Sequence, residues 1–209
     1  MKVNKKHWEN IYATKGMQEV SWYQKSPQTS LNLISQLQLS KHASIIDIGA
    51  GDSFLVDELL KLGYTNISVL DISVNAIKRA KKRLGELAKN VKWIVTDITE
   101  FNPTEKYDLW HDRAVFHFLT QEKDINIYKK LVDSTISGYF LLATFSDEGP
   151  DKCSGLEICK YSELDLKNQF EEHFTPIDSF KKDHNTPFKT IQNFTFSLFN
   201  FFSSLFPLF

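Results

Sequence analysis

The chain has 209 residues, 42% of them hydrophobic, with 25 basic and 26 acidic side chains and a net charge of -1. That size and apolar content suit one domain with a full core. The balanced charge offers no polybasic field for a phosphate backbone, which disfavours general nucleic-acid binding.

Two cysteines, Cys153 and Cys159, make neither a disulfide framework nor a zinc pair. No metal site is expected. Free thiols suit the reducing cytoplasm, where the chain is placed. The opening Met1-Lys2-Val3-Asn4-Lys5-Lys6 leads into a polar aromatic segment, not the apolar stretch of a signal peptide.

In chain order, a helical lead comes first, over residues 7–14 and 27–39. The second piece carries Leu31, Ile34 and Leu37 near helical spacing, with Pro27 in its first turn. Strands and helices then alternate: strand 44–48, helix 53–62, strand 66–70, helix 74–87, strand 91–95, strand 107–111, helix 121–136, strand 139–145, helix 161–171. Two strands, 174–181 and 193–201, close the series. Such alternation predicts a parallel sheet covered by helices. The last two strands have no room for a helix between them and should pair antiparallel. The basic run Lys78-Arg79-Ala80-Lys81-Lys82-Arg83 reads as a solvated helix face, because Ile77, Ala80 and Leu84 take the inner side. Residues 194–209 are rich in phenylalanine and uncharged. The segment is shorter than the roughly 20 residues a bilayer span needs. An apolar tail packing on its own chain or on a homodimer partner is expected, with an interfacial membrane contact as the alternative. The chain thus divides into a helical lid (1–40), a core (41–201) and a tail (202–209) within one domain.

The chemistry concentrates at Ile45-Ile46-Asp47-Ile48-Gly49-Ala50-Gly51-Asp52-Ser53, a strand running into a glycine turn and a helix. A second strand ends at Asp71. Glycines let main chain approach a ligand, and a terminal acid can accept hydrogen bonds from ribose hydroxyls. The dinucleotide fingerprint fails, since its third glycine is Phe54, and no Gly-Lys-Ser or Gly-Lys-Thr of a phosphate loop occurs.

This arrangement resembles motif I of the class I S-adenosylmethionine-dependent methyltransferases. Ser53 departs from the small residue, most often glycine, usual there. Three further segments resemble the same family in order: Asp71-Ile72-Ser73, Trp93-Ile94-Val95-Thr96-Asp97-Ile98 and Tyr107-Asp108-Leu109-Trp110-His111-Asp112-Arg113. The resemblance implies an α/β Rossmann-like three-layer sandwich with a seven-stranded, mostly parallel sheet of order 3-2-1-4-5-7-6, strand 7 reversed. It implies S-adenosylmethionine as cofactor, held by Asp47, Gly49, Ala50, Gly51, Asp71, Ile72, Asp97 and Ile98. Asp71 would bind the ribose, Ile72 pack on the adenine, and Asp97 and Ile98 take its edge. An acid at a strand end is also a helix cap. Ser73 can cap the helix from Val74, which leaves Asp71 for the ligand; Asp97 precedes Thr99 in the same way.

The segment Asp112-Arg113-Ala114-Val115-Phe116-His117 places a carboxylate, a guanidinium and an imidazole just after the fourth strand. Asp112 is read as a contact to the methionine end of the cofactor, Arg113 and His117 as groups facing the substrate. Imidazole can remove a proton near neutral pH, and a guanidinium can hold an anion or acidify a thiol. The alternative is a structural pair with packed histidines. In the lead, Trp8, Tyr12, Trp22 and Tyr23 suit a lid over a sulfonium, with Tyr12 and Trp22 assigned to the cofactor; simple helix packing is the other reading. That W-x-x-x-Y … W-Y … P pattern resembles the opening segment of small-molecule thiol methyltransferases, and also that of elongation-factor lysine methyltransferases. The Asn-Pro-Pro-Tyr-like motif of many lysine enzymes is absent. Late loops with Cys153 and His184 also reach the site end of the sheet. The expected function is methyl transfer to a small-molecule nucleophile, possibly a thiol. A protein-lysine methyltransferase and a non-catalytic cofactor-binding module are the alternatives.

Overall fold

The computed structural model describes residues 2–202 and the side chains from Lys5 onward. The helices are α1 (Lys2–Thr14), α2 (Gln28–Gln36), α3 (Leu55–Lys61), α4 (Val74–Leu84), α5 (Glu122–Thr135) and α6 (Glu163–Phe170). The strands are β1 (Ser44–Ile48), β2 (Asn66–Asp71), β3 (Val91–Val95), β4 (Tyr107–Arg113), β5 (Ile136–Phe145), β6 (Lys152–Cys153), β7 (Leu156–Glu157), β8 (Phe174–Asn185) and β9 (Ile191–Phe201). Seven of them form one sheet in the order β3-β2-β1-β4-β5-β9-β8. The pairs β1/β2, β2/β3 and β4/β5 are parallel and β5/β9 is antiparallel. This is the expected Rossmann-like sheet with its reversed strand. β6 and β7 form a separate hairpin that the sequence reading treated as loop. Its turn is Ser154-Gly155, both at positive φ (51° and 79°), the geometry a two-residue hairpin turn demands.

The chain forms two compact units: residues up to Asn102 with Asn185–Ile191, and Pro103–His184 with Gln192 onward. In the first, β1 carries Ile45, Ile46 and Ile48, all buried. A strand covered on both faces needs such a continuous apolar run. α4 buries Ala76, Ile77, Ala80 and Leu84 along one stripe, and Ser73 Oγ caps its start by accepting from Ala76 N at 3.2 Å. α4 stops at Leu84, not residue 87. Gly85 adopts φ 57° there, and residues Gly85–Asn90 continue as a 3-10 turn.

In the second unit, an aromatic core joins Phe140, Phe170, Phe174 and Phe199, with centroids 5.0 to 6.4 Å apart. Phe194, Phe196, Leu198 and Phe199 of β9 are all buried, because that strand lies between β5 and β8. β8 ends the sheet, is largely exposed, and carries Asp178, Lys181 and Lys182, charges that discourage edge-to-edge pairing. Of the expected tail (202–209), Phe202 donates its N–H to the His173 carbonyl at 3.0 Å, and residues 203–209 lie outside the described residues. No helix among the described residues is long and apolar enough to cross a membrane.

β5 begins at Ile136, directly after α5, three residues earlier than its periodicity suggests. A bulge causes the difference: Tyr107 opposes Ile136, but Leu109 opposes Tyr139. Gly138 sits in that bulge, where an added Cβ would collide with the Asp108 carbonyl. Two main chains cannot yield as a side chain can. Gly138→Ala is therefore expected to destabilise the protein by about 1–3 kcal/mol. In urea unfolding the midpoint should fall while the slope stays unchanged.

Candidate active site

In the first unit the glycine turn depends on two positions at positive φ, Gly49 (60°) and Gly51 (57°). Asp71, at the end of β2, fastens it. One carboxylate oxygen accepts Gly51 N at 2.8 Å, and the other accepts Ser73 N at 2.7 Å. Asp71 is therefore not left wholly to a ligand, as the sequence reading had it. Ser73 does cap α4, and Asp71 additionally ties together the two turns that follow β1 and β2. Each of its oxygens still has lone-pair capacity for a hydroxyl donor. Burial pushes its carboxyl up to about 7, against the pull of the Ser73 and Gly51 N–H groups.

Asp47 is buried near the end of β1, opposite Val69. Ala50 is buried and donates its N–H to the Leu70 carbonyl at 3.2 Å. Ile72 is half-buried beside Asp71, and Ile98 is buried. Asp97 caps the 3-10 turn Ile98–Glu100: Oδ1 accepts from Thr99 N at 3.0 Å and from Thr99 Oγ1 at 2.9 Å. Here the capping reading is realised in the geometry.

The N-terminal lead lies on this turn. A Cβ on Gly51 would strike the Tyr12 hydroxyl. Tyr12 is buried, and its phenol is held well above its ordinary pKa by burial and by Asp71. Trp22 meets Tyr12 at 6.4 Å and Trp8 at 5.6 Å, both edge-on, and hydrogen-bonds to Tyr12. Tyr23 meets Phe54 at 6.3 Å.

Two residues that the sequence reading did not single out hold the lead down. Glu9 accepts from Ser73 Oγ (2.8 Å), Val74 N (2.8 Å) and Asn75 N (3.1 Å), so α1 supplies an anion to the start of α4. Arg79 donates to the Tyr12 and Lys15 carbonyls (3.2 and 2.7 Å) and pairs with Asp52 at 2.8 Å. Arg83 grips the Asp52 and Ser53 carbonyls, both at 2.6 Å, and forks onto Asp57 at 2.7 and 3.0 Å. It also lies 4.5 Å over the Phe54 ring. The basic run on α4 is thus not a wholly solvated face. Arg79 and Arg83 turn inward because orphan carbonyls at the end of α1 and in the glycine turn need donors. Only the i, i+4 spacing of the two arginines hinted at a shared face; their partners lie 26 to 67 residues away.

The second unit contains the other predicted residues. Asp112 is fully buried and accepts from Tyr128 Oη (2.6 Å), Val115 N (2.8 Å) and Phe116 N (3.2 Å). Burial raises its carboxyl to about 6, opposed by the Tyr128 hydrogen bond. Within this unit Asp112 organises the turn after β4. Arg113 is half-buried, its guanidinium 4.7 Å over the Phe194 ring. His117 is fully buried and stacked on Phe145 at 4.7 Å. Its Nδ1 accepts Phe145 N at 3.2 Å. Burial, then the Arg113 charge, lowers the imidazole to about 3. That environment keeps His117 neutral. Cys153 is buried, its thiol pushed up to about 12.

Glycines at positive φ beside an acid that ends β2, on a sheet of this order, define a class I S-adenosylmethionine-dependent methyltransferase. Residues 39–192 match the family model described as a methyltransferase domain, and the chain belongs to that family. It is similar to malonyl-[acyl-carrier protein] O-methyltransferase 2 of Ilyobacter polytropus, 30% identical over 152 residues, which cover 71% of this chain and 55% of the relative. It is also similar to EEF1A lysine methyltransferase 2 of Mus musculus, 25% identical over 189 residues, covering 81% of this chain and 71% of the relative. The chain thus spans little more than half of the first relative's length. Among solved structures it resembles a Burkholderia thailandensis 1,6-didemethyltoxoflavin-N1-methyltransferase with bound 1,6-didemethyltoxoflavin and S-adenosylhomocysteine. That match has a TM-score of 0.71 at 16% identity and covers 97% of this chain and 88% of that one.

The family's cofactor is S-adenosylmethionine, and the residues present fit it. The Gly49–Gly51 main chain has no Cβ at two positions, and the buried Asp71 can accept ribose hydroxyls.

The raised carboxyls set a pH dependence. Asp71 titrates near 7 in the folded chain and near its ordinary 3.8 when unfolded, so the folded state holds the extra proton between those values. Stability must then fall as pH rises from about 4 to about 7 and level off above. Asp112 adds the same sign between about 4 and about 6. Melting temperatures of the cofactor-free protein across this range should decline, and Asp71→Asn should make the decline shallower.

Proposed function

We propose that this chain, working as one cytoplasmic domain, transfers the methyl group of S-adenosylmethionine to a small-molecule nucleophile. The observation that carries this reading is the fastening of the N-terminal lead over the glycine turn. Glu9, Tyr12 and Arg79 together bring α1 onto the segment that would hold the cofactor. A fixed cover of that kind suits a small acceptor better than a polypeptide. Two unbridged cysteines accord with a reducing compartment.

Bound S-adenosylmethionine supplies an electrophilic methyl carbon on a positively charged sulfur. Asp71 would accept from the ribose hydroxyls, and residues 49–51 would line the methionine side with bare main chain. Asp47, Ile72, Asp97 and Ile98 complete the cofactor set, with Tyr12 and Trp22 presenting ring faces to positive charge. Asp112 holds the turn that carries Arg113 and His117. Those two residues handle the acceptor, which must be aligned and left with a free lone pair. A thiol is one such acceptor, and Arg113 would favour its thiolate.

A second reading, methylation of a protein lysine, is favoured by the similarity to EEF1A lysine methyltransferase 2 along 81% of the chain. Incubation with radiolabelled S-adenosylmethionine and cell extract, followed by separation of small molecules from proteins, distinguishes the two. Label is expected in the small-molecule fraction; label confined to protein would favour the lysine reading. Calorimetry tests their common premise. S-adenosylhomocysteine should bind, and Asp71→Ala should weaken it by roughly tenfold or more, about 1.4 kcal/mol. No binding by the unaltered protein would refute both readings.

A further inference from the structure

The basic run on α4 divides by exposure. Lys78, Lys81 and Lys82 are exposed, whereas the Arg83 side chain is 18% exposed and that of its partner Asp57 13%. A guanidinium drawn out of water needs its donors satisfied. Arg83 places them on one short stretch of chain within the first unit. Nη1 donates to the Asp52 carbonyl and Nη2 to the Ser53 carbonyl, both at 2.6 Å. Nε and Nη2 fork onto the Asp57 carboxylate at 3.0 and 2.7 Å. The Phe54 ring, 4.5 Å away, packs against the same group.

The glycine turn is thus held from both of its ends. At the entry, Asp71 accepts the Gly51 N–H. At the exit, Arg83 donates to the carbonyls of the next two residues. Arg79 also reaches Asp52, but through its carboxylate and not its main chain. Gly49 and Gly51 carry no side chain that could fix the backbone between these points, and both stand at positive φ. Their conformation has to be imposed by neighbours. Two consecutive carbonyls bonded to one rigid guanidinium cannot turn independently, so the peptide planes after Gly51 are set by Arg83.

We infer that Arg83 is a positioning residue for the cofactor: by fixing the Asp52 and Ser53 carbonyls, it holds residues 49–51 in the shape that receives the methionine portion. The inference rests on the cofactor reading proposed above and names what preorganises that side of it. Arg83 acts through the turn and not on the reacting atoms. A turn released from this hold would have to be ordered by the ligand itself, and ordering one backbone residue lowers affinity by roughly 5- to 30-fold. Lysine cannot substitute. Its ammonium is a point charge on a flexible stem, whereas the planar fork spans two carbonyls and a carboxylate at once. The nucleoside portion is assigned to Asp71, Ile72, Asp97 and Ile98, while the hydrogen bonds of Arg83 go to residues 52, 53 and 57.

Two variants of the full chain and two ligands test this. Arg83→Met removes the fork and keeps a stem; Arg83→Lys keeps the charge as well. The Asp71 bond to Gly51 and the Arg79 pair with Asp52 remain in both, so both should fold, with far-UV dichroism unchanged and a single melting transition. By calorimetry, Arg83→Met should bind S-adenosylhomocysteine roughly tenfold or more weakly than the original, and Arg83→Lys roughly fivefold or more weakly. 5′-Methylthioadenosine shares the nucleoside and thioether but lacks the amino-acid portion. At millimolar concentration it should raise the melting temperatures of the original and of Arg83→Met by similar amounts. A loosened fold would weaken both ligands alike, which separates positioning from stability.

Unchanged affinity of Arg83→Met for S-adenosylhomocysteine overturns the inference. So does full affinity in Arg83→Lys, since charge alone would then suffice. A methylthioadenosine shift lost in Arg83→Met, or absent from the original protein, overturns it too, as does failure of both variants to fold. In each of these cases the original protein still binds S-adenosylhomocysteine. Absence of that binding removes the cofactor reading itself.

Discussion

One buried carboxylate organises the first unit. Asp71 takes Gly51 N on one oxygen and Ser73 N on the other, and thereby couples the turn after β1 to the turn after β2. Both turns follow parallel strands, where no ladder partner remains for those N–H groups. Asp71 supplies one at the cost of keeping an acid away from water, which is why its carboxyl titrates far above its usual range. A carboxylate held at both oxygens is fixed in its orientation.

The docking of the N-terminal lead follows from the same logic of orphan groups. The start of α4 exposes donors, and Glu9 satisfies them from a helix more than sixty residues earlier. The end of α1 exposes carbonyls, and Arg79 satisfies those in return. These exchanges cross between α1 and α4 in opposite directions, so the two helix ends neutralise one another. Arg83 does likewise for the Asp52 and Ser53 carbonyls. A planar fork with several donors suits this task where an ammonium would not.

In the second unit, burial decides protonation. Asp112 is drawn into the turn after β4 by two backbone N–H groups and by Tyr128, and the turn in turn sets His117 on Phe145. The imidazole stays neutral because it is dry and close to a guanidinium. One of its ring nitrogens is engaged by the Phe145 N–H.

The alternation of strands and helices, the glycine turn and the acids at strand ends were legible in the linear chain, because each depends on local periodicity and on residues a few positions apart; the order of strands within the sheet came from the family resemblance. Ile45, Ile46 and Ile48 announce a strand buried on both faces, and Gly49 and Gly51 announce main chain in a conformation other residues resist. Where elements began or ended was less legible. Gly85 shortens α4, and the bulge at Gly138 lengthens β5, since each outcome depends on a neighbour the chain reaches only after folding. The roles of Glu9, Arg79 and Arg83 belonged to tertiary structure alone. A charged side chain on a helix reads as solvated until the fold places unsatisfied carbonyls or N–H groups within its reach, and no pattern along the chain records that distance.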